Sequence, residues 1–231
     1  MSITNPITGI SHPLSISFNV YKSKSGESSS GAYLFLPKVP SVPLPLSSGP
    51  NVRVVTGALV DEVTTYHPNL VHTVRTYKTG EPGRLAIEVE NILNLTSPHN
   101  NDEVVMTIST GIKNFNRVFY TDSNCLQFTR RVFYEKIPLQ GNVYPVTCAA
   151  YTEDDRYRVT LLSAQSLGFL AGERPGQMNA WLDRRLNQDD NRGMGEPVLD
   201  NVPTRSVFRI VVETLSSGSP SGSSELVSPL I

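Results

Sequence analysis

Cysteine and tryptophan are scarce in this sequence, which holds two cysteines and one tryptophan among 231 residues. The two cysteines, Cys125 and Cys148, allow one disulfide or none. They do not resemble a thiolate zinc site, because structural zinc usually takes four ligands at tight spacing. The four histidines are scattered without a paired carboxylate motif, which favours ordinary strand and loop positions. We therefore predict no metal ligand in this chain.

Long hydrophobic runs and a bias of charge are also missing. No stretch approaches the roughly 20 apolar residues of a membrane helix, and the first residues, MSITNPITGISHP, lack the basic and apolar regions of a signal peptide. We therefore expect no membrane contact by this chain. The net charge of −1 arises from interspersed signs, so no basic stripe for nucleic acid is present. No nucleic-acid partner is expected.

Helical periodicity is the third absence, because no segment longer than about ten residues shows it. Short β-branched and aromatic runs instead alternate apolar with polar residues, and turn signals separate them. This pattern predicts an all-β fold, an antiparallel β-sandwich with no substantial helix. We predict strands at residues 15–21, 31–36, 52–56, 58–66, 70–77, 85–93, 103–112, 119–122, 126–134, 145–151, 157–164, 178–186 and 204–214.

Composition divides the chain into three parts. Residues 1–14 are rich in turn signals and are expected to form a poorly ordered lead-in. Residues 15–214 form the β-sandwich, as one unit or as two packed subdomains, and include a proline-rich segment, 39–50, that we interpret as an exposed insertion. The Ser, Gly and Pro content of residues 215–231 predicts a disordered tail.

The densest polar chemistry lies in WLDRRLNQDDNRGMGEPVLDN, residues 181–201, where a strand ends in a loop, 187–193, without apolar side chains. A solvated turn with Arg–Asp pairs would explain the loop. Calcium is a second interpretation, since Asn187, Asp189 and Asn191 alternate as oxygen donors, but the glycine and glutamate of an EF-hand are missing. A polyhydroxylated ligand is a third, because carboxylate, amide and guanidinium groups suit sugar hydroxyls.

Several motifs in the same order resemble one family. DRRLNQDDNRG, followed by DN and an FRIVVE strand, is similar to the C-terminal region of glycoside hydrolase family 38, the class II α-mannosidases, and most of all to its Golgi α-mannosidase II branch. SGAYLFLP, VHTVRTY, FYTD and IPLQGNVYPV add to the resemblance, which covers about residues 15–213. The fold implied is a galactose-mutarotase-like supersandwich.

The resemblance implies that this chain is one part of a larger enzyme. The parent would be a retaining α-mannosidase that trims mannose from N-glycans in the Golgi lumen. Its two carboxylates and its zinc belong to an N-terminal catalytic domain that is absent here, so we assign no catalytic residue and expect the isolated chain to be inactive. The chain would complete the rim of the sugar pocket. The alternative is a stand-alone carbohydrate-binding or adhesive β-sandwich.

The resemblance also names site residues. Tyr33 of SGAYLFLP and Arg192 of DDNRG resemble positions that contact the bound sugar, the arginine at least partly through its backbone carbonyl. We include Asp190 in the substrate site, with Asp189 and Asp190 expected to hold the loop rather than touch the sugar. A strand aromatic packed in the sandwich is the alternative for Tyr33. Cys125 stands where the family usually has a glycine that tolerates positive φ.

Overall fold

The computed structural model of the protein describes residues 2–4, 11–26, 28–78, 86–96 and 100–215. Within these ranges sixteen strands form two sheets in which every strand pairing is antiparallel, and two single 3-10 turns are the only helical elements. The prediction of an all-β sandwich is confirmed. None of the described helical elements is long and apolar enough to cross a bilayer.

The strands have the following bounds, in chain order. They are β1 (Ser2–Thr4), β2 (Ser11–Lys22), β3 (Val42–Pro43), β4 (Asn51–Thr56), β5 (Val60–His67), β6 (Leu70–Tyr77), β7 (Ala86–Leu93), β8 (Asp102–Thr110), β9 (Phe119–Ser123), β10 (Gln127–Arg131), β11 (Tyr144–Val146), β12 (Ala149–Glu153), β13 (Tyr157–Ser163), β14 (Leu167–Ala171), β15 (Gln177–Arg185) and β16 (Thr204–Thr214).

The two sheets differ in size. The smaller has the order β1-β2-β8-β15-β14-β11, with β3 added to β2, and the larger has the order β10-β9-β12-β13-β16-β7-β6-β5-β4. Both contribute to one continuous core, which the alternating apolar residues of their facing sides fill. Met106 and Ile108 of the smaller sheet, and Val89 and Phe208 of the larger, lie fully buried in it.

Three predicted segments fold differently. Residues 145–151, predicted as one strand, are divided between β11 of the smaller sheet and β12 of the larger sheet. Residues 31–36 form a turn instead of a strand. The segment 39–50 is not simply an exposed insertion, because Val42–Pro43 pairs with β2 and Leu44 is buried in the core. Of the lead-in, Ser2–Thr4 pairs with the start of β2, and residues 1 and 5–10 lie outside the described residues, as does the predicted tail from residue 216 onward.

Cys125 and Cys148 form a disulfide with a Cα–Cα distance of 5.6 Å. Cys125 has a φ of 60°, so the positive φ expected at this position is present. The carboxylate of Asp122 holds both cysteines in place: its Oδ2 accepts the backbone N–H of Cys125 at 2.8 Å, and its Oδ1 accepts those of Thr147 at 2.8 Å, Cys148 at 3.1 Å and Ala149 at 3.2 Å. This single side chain therefore fixes the β9–β10 turn against the start of β12.

Four backbone N–H groups would lose their acceptor in Asp122→Ala, so we expect the free energy of unfolding to fall by about 2 to 3 kcal/mol. Burial disfavours ionisation of Asp122, but these N–H bonds outweigh it and lower the pKa of the carboxyl. Its stabilisation is therefore present above the unfolded pKa and lost as the pH falls through the folded one. Urea unfolding measures this at pH 7 and below about pH 4. The difference in the free energy of unfolding between wild type and Asp122→Ala should be smaller at the acidic pH.

Asp155→Ala is the matched control, because Asp155 is an exposed aspartate in the turn after β12, at the end of that strand away from Asp122. Equal unfolding midpoints for the two variants would contradict the role given to Asp122.

Candidate functional site

The polar loop 187–193 contacts a distant turn, 30–36, which we call the Tyr33 turn. Asp190 makes the contact: its Oδ2 accepts the backbone N–H of Tyr33 at 2.7 Å and that of Leu34 at 2.8 Å. Asp190 is buried, with 4% of its surface exposed. Burial disfavours its charge, but the N–H donors outweigh this and lower the pKa of the carboxyl. The carboxylate therefore joins two segments 157 residues apart in the sequence.

The two segments pack so closely that one position requires glycine. A Cβ on Gly31 would lie 2.4 Å from the backbone nitrogen of Asp190 and 2.5 Å from its Cβ. The N–H of Gly31 donates to the carbonyl of Leu34 at 3.1 Å and closes the Tyr33 turn. Any larger residue at position 31 would thus push the Asp190 carboxylate away from the N–H groups it accepts.

Arg184, near the end of β15, supports the turn from the other side. Its Nη2 lies 2.7 Å from the carbonyl oxygen of Gly31, 2.9 Å from that of Leu34 and 2.9 Å from Oε1 of Glu103. Glu103 lies directly opposite Arg184 in the β15–β8 pairing. Burial raises the pKa of Glu103 to about 7, although Arg184 and a hydrogen bond from Trp181 oppose the shift.

Aromatic rings support the same turn. Tyr21 stacks on Trp181 with their ring centroids 5.8 Å apart, and Phe35 meets the Trp181 ring edge-on at 5.3 Å. Phe35 follows Leu34 directly, so the end of the Tyr33 turn is anchored to the smaller sheet.

The amide of Gln188 provides a further link between the two segments. Its Nε2 donates to Ser23 Oγ at 2.8 Å and to the carbonyl of Ser30 at 2.9 Å. Ser30 Oγ in turn accepts the N–H of Leu36 at 2.8 Å. The Tyr33 turn is thus held at both of its ends as well as at its tip.

The three predicted site residues lie in two different environments, one buried and two exposed. The side chain of Tyr33 is 63% exposed, so the interpretation of a packed core aromatic is wrong. Arg192 is also exposed, two residues after the buried Asp190, and its Nη1 lies 3.5 Å from the carbonyl of Asn191. Asp190 holds the loop, as expected, and Tyr33 and Arg192 present their side chains to solvent on the two joined segments.

The Arg–Asp pairs expected within the loop are replaced by other partners. Arg184 pairs with Glu103, and Arg185 donates to the carbonyl of Leu199 at 3.1 Å. Asp189 Oδ2 accepts the N–H of Asn191 at 3.0 Å, a local turn bond that occupies one of the oxygens the calcium interpretation would use. The loop is therefore shaped by bonds to backbone groups.

Sequence reasoning missed Gly31, Glu103 and the role of Arg184. By alternation alone Arg184 would continue the core-facing series Met178, Ala180, Leu182, so a charge at that place was the available signal. In the structure Arg184 lies on the other side of the sheet, with Glu103 and Trp181. The strand register shifts between Trp181 and Asp183, which brings Arg184 opposite Glu103. Gly31 could not be distinguished by sequence from the other glycines.

Among the described residues one cluster, Asp122, Cys125 and Cys148, has the side-chain spacing of a metal site. The two cysteines are bonded to each other, and the carboxylate accepts four backbone N–H groups. These residues do not fit zinc, which needs thiolates and free lone pairs.

Residues 8–192 match the model of the glycosyl hydrolases family 38 C-terminal domain. The chain is 42% identical to human alpha-mannosidase 2 over 209 residues, which is 90% of this chain and 18% of that protein. It is 38% identical to alpha-mannosidase 2 of Drosophila melanogaster over 205 residues, 89% of this chain and 18% of the relative. The chain thus spans about a fifth of the length of these relatives.

A crystal structure of an alpha-mannosidase from Enterococcus faecalis V583 has the same fold. Its TM-score is 0.66 over 92% of this chain and 27% of that one, at 11% sequence identity.

Asp190→Ala should release the tip of the Tyr33 turn, because the backbone N–H groups of Tyr33 and Leu34 lose their acceptor. We expect protection of these two amides against hydrogen exchange to fall by about tenfold or more, while protection of the β16 amides stays unchanged. Asp200→Ala, at an exposed aspartate ten residues later, is the control. Unchanged protection of Tyr33 and Leu34 in Asp190→Ala would show that the carboxylate does not hold the turn.

Proposed function

Because the chain belongs to glycosyl hydrolase family 38 as a C-terminal domain, we propose that it completes the rim of the sugar pocket in a retaining α-mannosidase. The substrate is a mannose-containing N-glycan, and the N-terminal catalytic domain of the same enzyme is the direct partner. The observation that supports this most is the bond from Asp190 to the Tyr33 turn. It joins the exposed polar loop 187–193 to the turn that carries the exposed Tyr33, so that hydroxyl, guanidinium and carbonyl groups are available on two adjoining segments.

We assign the roles as follows. Tyr33 offers its hydroxyl to the sugar, and residue 192 offers its backbone carbonyl. Asp190 contributes to the substrate site by fixing the Tyr33 turn, since its Oδ2 is occupied by two backbone N–H groups. The bond-breaking carboxylates and the zinc belong to the N-terminal domain of the parent enzyme, where zinc would act as a Lewis acid on the substrate.

We propose the Golgi lumen as the compartment of the parent enzyme. The Cys125–Cys148 disulfide supports a secretory compartment, because disulfides persist in oxidising surroundings and are rare in the cytosol.

The isolated chain should not hydrolyse an aryl α-mannoside, because positioning groups cannot supply the covalent step of a retaining mechanism. A chimera in which this chain replaces the matching 209 residues of human alpha-mannosidase 2 should hydrolyse it. Both proteins are assayed with added zinc. Zinc-dependent turnover by the purified isolated chain would refute the proposal that the catalytic groups belong to the N-terminal domain. Micromolar binding of a mannoside by the isolated chain, together with a folded but inactive chimera, would favour the stand-alone carbohydrate-binding module.

Point variants of the chimera test the roles of the rim residues. Tyr33→Phe removes one hydrogen bond and should reduce kcat/KM by a factor equivalent to about 1 kcal/mol. Arg192→Ala should have a smaller effect, since its backbone carbonyl remains. Asp190→Ala should reduce kcat/KM more than Tyr33→Phe, because the whole turn is released. Tyr134→Phe is the control. Tyr134 is 54% exposed, lies far from the Tyr33 turn in the sequence, and forms its hydrogen bonds with Asn142 through its backbone N–H and carbonyl. Equal kcat/KM values for Tyr33→Phe and Tyr134→Phe would exclude Tyr33 from the pocket.

A further inference from the structure

Asn94, Leu95 and Thr96 form the tripeptide, Asn-x-Ser/Thr, that accepts N-linked oligosaccharides. The sequence contains this tripeptide once, and neither its middle residue nor the residue that follows it, Ser97, is proline. Tripeptides of this kind arise easily by chance, so the sequence alone does not assign a modification site. The positions of the side chains in the fold decide whether a glycan can be carried there.

The tripeptide follows β7 directly, and its side chains continue the alternation of that strand. Leu93 and Leu95 are 1% and 0% exposed and belong to the core. Asn94 is half-buried, and Thr96 is exposed. The backbone N–H of Asn94 donates to the carbonyl of Asn69, just before β6, at 2.9 Å, which keeps this residue in line with the sheet. Leu95 therefore anchors the tripeptide in the core, and Asn94 and Thr96 are directed to the outer side of the larger sheet.

The side-chain amide of Asn94 is bound through its oxygen. Oδ1 accepts the backbone N–H of Thr96 at 3.1 Å, which forms an Asx turn across the tripeptide. Within the part of the chain that the structure describes, Nδ2 has no hydrogen-bond partner. A sugar on Nδ2 replaces one hydrogen and leaves Oδ1 in place, so the folded turn is compatible with the modified side chain.

The outer side of the larger sheet carries charged groups close to the tripeptide. Glu90 lies on this side of β7, four residues before Asn94, and pairs with Arg205 of β16 at 2.8 Å. The Arg205 side chain is 62% exposed. Arg75 of β6 lies 3.0 Å from Glu90 on the same side. An oligosaccharide on Asn94 would therefore extend from a surface that is already in contact with water.

We propose that Asn94 is an N-glycosylation site of the parent enzyme. This inference rests on the proposed function only for the secretory compartment. The donor is a lipid-linked oligosaccharide diphosphate. Nδ2 of Asn94 forms a bond to the anomeric carbon of the first sugar, and the bond between that carbon and the diphosphate oxygen breaks. The amide gives up one proton and the lipid diphosphate leaves, so nothing is oxidised or reduced.

The chimera with human alpha-mannosidase 2, produced in human cells, tests the proposal at the level of the single residue. A peptide N-glycosidase converts a glycosylated asparagine to aspartate, and in heavy-oxygen water the new carboxylate carries the isotope. Mass spectrometry of the peptide that contains Asn94 should find labelled aspartate at position 94 in most molecules. The same peptide from a sample without the glycosidase should carry no label.

Variants of the tripeptide separate glycosylation from other changes at the asparagine. Asn94→Gln and Thr96→Ala should both abolish the label, the second although Asn94 itself is still present. Thr96→Ser is the matched control, because serine keeps the hydroxyl that the tripeptide requires, and it should retain the label. Both variants that lose the label should also lose the mass of one glycan on a denaturing gel.

Unlabelled Asn94 in the wild-type chimera would overturn the proposal. Label that is confined to aggregated chimera and absent from the soluble, folded fraction would also overturn it, because the folded domain would then not carry the glycan. Equal labelling of Thr96→Ala and Thr96→Ser would show that the modification is not N-glycosylation at this tripeptide.

Activity separates this test from that of the proposed function. A folded chimera that is glycosylated at Asn94 but lacks mannosidase activity refutes the proposed function and keeps the site. An active chimera with unmodified Asn94 keeps the function and removes the site.

Discussion

The carboxylate of Asp190 is the interaction on which the candidate site depends. A buried charge is costly unless hydrogen bonds compensate it, and here two backbone N–H groups of the Tyr33 turn do so. The donors come from residues 157 and 156 positions earlier, so these bonds require the fold to bring two distant segments together. The bond also explains why the turn cannot be a strand, since the N–H groups of Tyr33 and Leu34 are directed at a side chain instead of a neighbouring strand.

The β15–β8 pairing supplies the rigid base for this bond. Arg184 and Glu103 face each other across the two strands, and the guanidinium reaches the carbonyls of Gly31 and Leu34. Glu103 is buried and Arg184 is partly exposed, and such a pair contributes little net stability, because desolvation of the carboxylate offsets much of the attraction. Its geometric effect is larger: a planar guanidinium with fixed partners defines where the turn lies. The paired strands β15 and β8 thus fix the position of the Tyr33 turn, and the turn and the loop 187–193 carry the exposed side chains.

The strands were predictable because alternation reports directly on which side of a sheet is buried. The runs around Val89, Val159 and Phe208 were identified for this reason. The Tyr33 turn was not, because SGAYLFLP has the apolar and aromatic content of a strand and its hydrogen-bond partner, Asp190, lies far along the chain. The burial of Leu44 was missed for a similar reason: prolines indicate that a segment is not a central strand, but they do not exclude a single leucine from reaching the core.

The site residues, like the strands, could be predicted from the sequence only in part. The polarity of residues 187–193 predicted a loop and left its function open. Which of Asp190 and Arg192 is buried could not be predicted from polarity, because neighbouring polar residues give no such signal. Asp190 is 4% exposed and Arg192 is exposed, although only Asn191, with a φ of 57°, lies between them. That left-handed residue turns the backbone, so that one polar side chain is directed into the protein and the next but one away from it.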